Sequence, residues 1–118
     1  MKTPDPIREI AGILREFAAA REWEQYHTPK NLAAAMSVEA AEVLEHFQWL
    51  TDEQSMAIDP ARRTAVSHEL ADVMLYLIRL ADKLGIDIVC AAHEKIAINA
   101  AKYPVELVRG SAKKYDEF

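Results

Sequence analysis

Apolar residues recur along this chain at the spacing of helix faces. Asp5-Pro6 reads as a cap followed by proline at the first helical position, and Ile7, Ile10, Leu14 and Phe17 then line one face of a helix that fades near Trp23 to Tyr26. Thr28-Pro29 repeats the signal and opens a second helix, about Pro29 to Leu50, whose apolar row is Leu32, Met36, Val43, Phe47 and Leu50. Thr51 to Asp59 is polar and reads as a loop. Asp59-Pro60 starts a long helix to about Leu84, with Val66, Leu70, Val73, Leu77, Leu80 and Leu84 in its row and Gly85 as its stop. Asp87 caps a fourth helix that ends before Pro104, and Val105 to Phe118 has little periodicity and reads as an arm. Strand patterns are hard to find. The expectation is an all-α fold, an antiparallel four-helix bundle, in one domain over residues 1–118 with 105–118 as a C-terminal arm.

Two rows are broken by acid. Glu39 fills a place in the second helix where an apolar residue is due, and Glu42 follows three residues on, so both carboxylates point the same way. Glu69 and Asp72 interrupt the long helix with the same offset. Carboxylates on core-facing rows are costly unless their charge is compensated. Two such pairs on two helices therefore favour a cation site over solvated faces. Four oxygen ligands without a matching Cys or His set suit a hard ion, Mg²⁺ or Mn²⁺. No Glu here is followed three residues later by His, as di-iron bundles require. Glu45, one step beyond Glu42, is open between ligand, supporting group and plain surface.

Composition narrows the class. With 118 residues the chain can bury a core, and its net charge of −5 argues against a general nucleic-acid binder. Cys90 is the single cysteine, which excludes an internal disulfide and fits a reducing cytoplasm. Met1 to Pro6 leads into a charged helix rather than a signal peptide, and no apolar run is long enough for a bilayer. The expectation is a cytoplasmic protein with neither nucleic acid nor membrane as partner.

Aromatic and basic residues lie near the acidic rows. Tyr76 is one turn beyond Asp72, Trp49 is seven residues after Glu42, and Trp23 and His27 precede the second helix. Two tryptophans beside a metal site suit stacking on a nucleobase, although taken alone these aromatics favour ordinary core packing. His27 lies in a loop, where it can donate to a ligand. His46, His68 and His93 show no ligand spacing. Lys95, Asn99 and Lys102 share a helix face, with Tyr103 next in sequence; phosphate binding and a solvated basic face both remain open.

The combined pattern is specific. Glu39-x-x-Glu42, 26 residues, then Glu69-x-x-Asp72 resembles the signature of the MazG-type all-α nucleotide pyrophosphohydrolases. Arg21 to Leu32, Phe47-Gln48-Trp49, Glu69 to Leu77, Asn99 with Lys102-Tyr103-Pro104, and Arg109 to Tyr115 resemble the dCTP pyrophosphatase branch. Val38 stands where many MazG-type members carry a further Glu, which also favours that branch. The resemblance implies Mg²⁺-dependent hydrolysis of a nucleoside triphosphate to monophosphate and pyrophosphate, with dCTP or modified deoxycytidine triphosphates as substrates. Glu39, Glu42, Glu69 and Asp72 would hold the metal and form the catalytic centre. Trp23, His27, Trp49 and Tyr76 would line the base and sugar pocket, with Lys95, Asn99, Lys102 and Tyr103 near the phosphates.

The resemblance also implies a homo-oligomer, a dimer of dimers. The apolar positions Leu44, Leu75 and Ile78, which fall off the main rows, independently suggest a partner surface. The two tryptophans bracket the second helix, so one base reaches both only if the chain folds back or a second subunit supplies one. Competing readings are a nucleotide-binding regulatory module without turnover and a structural helical-bundle interaction protein. Pyrophosphate release separates the first from an enzyme, and a metal-dependent rise in melting temperature separates the second.

Overall fold

The computed structural model describes residues 5–112 and is helical throughout, with no strand among those residues. It contains α1 (Pro6–Ala20), α2 (Pro29–Glu45), α3 (Asp52–Ser55), α4 (Pro60–Lys83), α5 (Ile88–Lys102) and α6 (Val105–Val108). Side-chain caps set most of the starts. Asp5 accepts from the Ile7 and Arg8 amides, Thr28 from Asn31, Asp59 from Arg62 and Asp87 from Cys90, at 2.8–3.2 Å. Each bond satisfies an amide that the first helical turn leaves without an intrahelical acceptor. Gly85, at φ 67°, follows α4 in the left-handed conformation that glycine adopts without a Cβ clash.

Two compact units divide the chain, one through Gly85 and one from Ile86. In the first, α4 packs along α2 and also contacts α1. Leu32 from α2 and Ile78 from α4 are its largest fully buried side chains, joined by Ala11, Ala18, Val66 and Ala81. Small residues let the helices approach closely, but they contribute little apolar area. Leu44, Leu70, Trp49 and Met56 remain exposed, the last two at 86 and 87 %. In the second unit, Tyr103 caps the end of α5 and α6 follows Pro104. Val89, Ile96, Ile98, Val105 and Leu107 are exposed there.

Several boundaries differ from the sequence expectation. α2 ends at Glu45, not near Leu50, because from His46 onward the backbone closes tighter turns: His46 N–H bonds Val43 O, Phe47 bonds Leu44, and Leu50 bonds Phe47. Trp49 therefore does not share the α2 face of Glu42. The expected loop from Thr51 contains α3, made possible by a capping box in which Thr51 and Gln54 exchange side-chain to backbone bonds. The start of the expected arm holds α6, while residues 113–118, with Lys113 and Lys114, lie outside the described residues.

The partner-surface reading of Ile78 is also corrected. This side chain is 2 % exposed because it falls between α4 and its packed neighbours. Leu75 is half-buried in a pocket, whereas Leu44 is exposed as expected.

Candidate active site

The α2–α4 packing brings the two acidic pairs together. One carboxylate oxygen each from Glu39, Glu69 and Asp72 can be chosen so that all three lie within 4.8 Å of one another. Glu42 is within hydrogen-bonding reach of both Glu39 and Glu69. The backbone reason is the three-residue offset on each helix, which aims both members of a pair at the facing helix.

Such a cluster is electrostatically frustrated. A hydrogen bond shared with Glu42, loss of surrounding water, and the charges of Glu42, Asp72 and Glu69 push the Glu39 carboxyl up to about 7. Glu69 is raised by the same kinds of cause, its hydrogen bond with Glu42 first, and the nearby His46 opposes the rise. Glu39 Oε2 and Glu69 Oε2 are buried with no hydrogen-bond partner. An orphaned buried carboxylate oxygen on each helix, in an all-oxygen donor set, fits a hard divalent cation.

Beside the cluster lies a pocket of about 160 Å³ lined by Leu14, Phe17, Trp23, His27, Asp72, Leu75, Tyr76 and Arg79. Asp72 thus belongs to both the acidic cluster and the pocket wall. The turn after α1 builds the aromatic side. The Trp23 amide bonds back to Ala18 O at 2.9 Å, and Glu22 takes φ 56° to let the chain reverse. Trp23 then meets Phe17 edge-on at 5.7 Å and His27 at 6.1 Å between centroids. Arg21 covers the Phe17 ring at 3.5 Å.

Arg79, which also lines the pocket, is 4 % exposed. Its guanidinium pairs with Glu24, donates Nε–H to His27 Nδ1 at 3.3 Å, and approaches Asp82 at 3.7 Å. Lys83 pairs with the other Glu24 oxygen, and Arg15 holds Asp82 at 2.7 Å. The Lys83 bond, with help from Arg79 and against partial burial, holds the Glu24 carboxyl below its ordinary range. Burial and the Arg79 charge hold the His27 imidazole below its own ordinary range.

The geometry unites Glu39, Glu42, Glu69 and Asp72, and gathers Trp23, His27 and Tyr76 with Asp72. Trp49 is not among the pocket's lining residues and is largely exposed. Glu45 is exposed at the end of α2. Lys95 and Asn99 are exposed on α5, and Lys102 and Tyr103 are half-buried at its end; all four belong to the second unit. Sequence reasoning missed Leu14, Phe17, Leu75, Glu24 and Arg79 as parts of this region. A signal for Arg79 existed: it lies seven residues beyond Asp72 and three beyond Tyr76, on one face of α4.

The chain is similar to known proteins along most of its length. The MazG-like family pattern matches residues 34–118. Human dCTP pyrophosphatase 1 is 41 % identical over 118 residues, spanning 98 % of this chain and 69 % of that protein, and the rat protein is 42 % identical over the same shares. A crystal structure of a pyrophosphatase from Archaeoglobus fulgidus superposes with a TM-score of 0.82 at 40 % identity, over 88 % of this chain and 97 % of that one. A fold match, a family match and near-full-length identity of this size together show that the chain belongs to the MazG-like family.

Proposed function

We propose that this protein is a nucleoside triphosphate pyrophosphohydrolase that converts its substrate to the monophosphate and pyrophosphate, with dCTP or a modified deoxycytidine triphosphate preferred. The observation that carries the reading is the convergence of Glu39, Glu69 and Asp72, with buried unpartnered oxygens on Glu39 and Glu69, at the edge of an aromatic pocket. The dCTP preference is supported by the likeness to the mammalian dCTP pyrophosphatases.

Glu39, Glu42, Glu69 and Asp72 would hold Mg²⁺, or Mn²⁺ in its place. The bound ion supplies charge neutralisation at phosphate oxygens and makes water more acidic. The pocket side chains do the rest of the positioning. Trp23 and Phe17 offer apolar ring surface for a base, Tyr76 and His27 offer polar atoms, and Asp72 joins that wall to the acidic cluster. A substrate so held presents its α-phosphorus to the carboxylates. A member of the quartet not engaged with the ion takes the proton of the attacking water, and pyrophosphate leaves. Lys95, Asn99, Lys102 and Tyr103 are assigned to the phosphates by family likeness.

The working form in this reading is a homo-oligomer, a dimer of dimers, in which the four long helices complete antiparallel bundles and the whole chain acts as one domain. Exposure of Leu44, Trp49, Met56 and Leu70 supports it, since a soluble monomer rarely leaves so much large apolar surface bare. Trp49 would join a base pocket from another subunit.

The test is incubation with a panel of canonical and modified nucleoside triphosphates, with and without Mg²⁺, reading pyrophosphate and monophosphate. Equimolar release of both, dependent on the ion and highest with a deoxycytidine triphosphate, is the expected result. Release of orthophosphate, or no turnover of any triphosphate, overturns the reading.

A further inference from the structure

Arg79 is the one charged residue among the described residues that is buried, and it lies against a histidine that lines the pocket. Its donors are directed. Nη2 faces Glu24, Nη1 faces Asp82, and Nε–H points at His27 Nδ1 at 3.3 Å. A guanidinium never accepts a hydrogen bond, so Nδ1 must supply the lone pair. A neutral imidazole that accepts at Nδ1 carries its proton on Nε2. The His27 ring has no other hydrogen-bond partner among the described residues, which leaves Nε2–H available to a ligand in the pocket that His27 lines.

We infer that Arg79 is a positioning residue that locks His27 as the Nε2–H tautomer, so that the pocket presents a fixed donor and selects a ligand bearing a hydrogen-bond acceptor, a carbonyl or an unprotonated ring nitrogen, at that point. The Glu24–Arg79–Lys83 pairing makes the lock rigid. Glu24 takes Arg79 and Lys83 on its two oxygens, and so ties the turn after α1 to the end of α4. The charged groups acting on His27 come from both sides: Glu24 from its own segment, and Arg79 and Lys83 from α4. The two cations and burial disfavour the imidazolium, whose Nδ1–H would face the Arg79 donor head-on. A ligand group that is itself a donor would meet Nε2–H with no acceptor, a mismatch that buried polar sites reject strongly.

The ligand part of this inference rests on the nucleotide reading; the tautomer part does not. The first experiment therefore needs no turnover. Nitrogen-15 spectra of the whole protein should show His27 near pH 7 with Nδ1 unprotonated and Nε2 protonated, and Arg79→Met should turn this into a mixture of tautomers. Protonated Nδ1 in the wild type, or an unchanged single tautomer in Arg79→Met, overturns the inference. The second experiment separates positioning from general stability. Arg79→Met should raise KM for the preferred nucleotide about ten-fold and change kcat less than about three-fold. Arg79→Lys, which keeps the charge but not the planar fork, should resemble it. His27→Gln places an amide donor near the Nε2 position without needing Arg79, so adding Arg79→Met to His27→Gln should cost less than about two-fold further in KM. An equal loss in both backgrounds means that Arg79 only supports the fold and overturns the proposal. If Arg79→Met does not fold, the wild-type tautomer and Arg79→Lys decide the matter.

Discussion

Glu39 on α2 and Asp72 on α4 are 33 positions apart in sequence, yet each places a carboxylate oxygen within 4.8 Å of the other. No cation from this chain is paired with either of them among the described residues. Two carboxylates at that distance gain from a shared divalent ion and repel without it. Glu39→Gln and Asp72→Asn should each abolish turnover, by at least about a hundred-fold, while far-ultraviolet circular dichroism stays helical. Calorimetry should show the loss of divalent-cation binding. Near-full activity of either amide at limiting Mg²⁺ would show that the metal ligands are misassigned.

The cluster also predicts how the metal-free protein responds to pH. Glu39 has a carboxyl near 7 when folded against an ordinary value of 4.5. The folded state then holds its proton longer than the unfolded one, so stability is fully present below about 4.5 and is lost as pH rises through about 7. The melting temperature of protein stripped with chelator should fall between pH 5 and 8, and saturating Mg²⁺ should reverse the fall. Glu39→Gln should flatten the curve. The lowered Glu24 acts in the opposite sense, its contribution being lost only as pH falls below the ordinary carboxylate range, so the two effects occupy different windows. A melting temperature that rises steadily from pH 5 to 8 in chelator would contradict this account.

Leu32 and Ile78 carry much of the first unit's core, each with at most 2 % of its surface exposed. Leu32→Ala should cost about 2–5 kcal/mol and Ile78→Val about 0.5–1.5 kcal/mol in denaturant unfolding. Leu70, 54 % exposed, lies on the same long helix but outside that core. If the proposed homo-oligomer forms, its replacement by Ala should instead shift the concentration at which that oligomer dissociates, read by sedimentation. An equal loss of protomer stability at Leu32 and Leu70 would contradict the burial pattern.

Trp49 and Trp23 call for different outcomes. Trp23 packs against Phe17 and shares a pocket with Asp72 of its own chain, whereas Trp49 is 86 % exposed. Base stacking is worth about 1–3 kcal/mol, so Trp49→Ala should raise KM roughly ten-fold or more while leaving Mg²⁺ binding intact. If a second subunit brings Trp49 to the site, mixed oligomers of Trp49→Ala and Glu42→Gln chains should recover activity that neither parent has at low substrate. No recovery in demonstrably mixed oligomers would place each complete site on a single chain.

Local signals in the sequence determined the starts of the four long helices and picked out the two acidic pairs. Proline-led caps at Asp5, Thr28 and Asp59 depend only on neighbouring atoms, and the structure keeps all three. The offsets Glu39–Glu42 and Glu69–Asp72 needed only helical periodicity, which is likewise local. Tertiary structure decided what periodicity cannot express. Ile78 lies off the apolar row of α4 yet is buried, because the neighbouring helices, and not that row, define which face is inside. The end of α2 at Glu45 depended on turn bonds that leave Trp49 exposed. Arg79 carried no assignment in the sequence, and only the fold closes Glu24, His27 and Asp82, two of them more than fifty positions away, around it. A buried charge is tolerable only with such partners, and partners distant in sequence become neighbours only when helices pack.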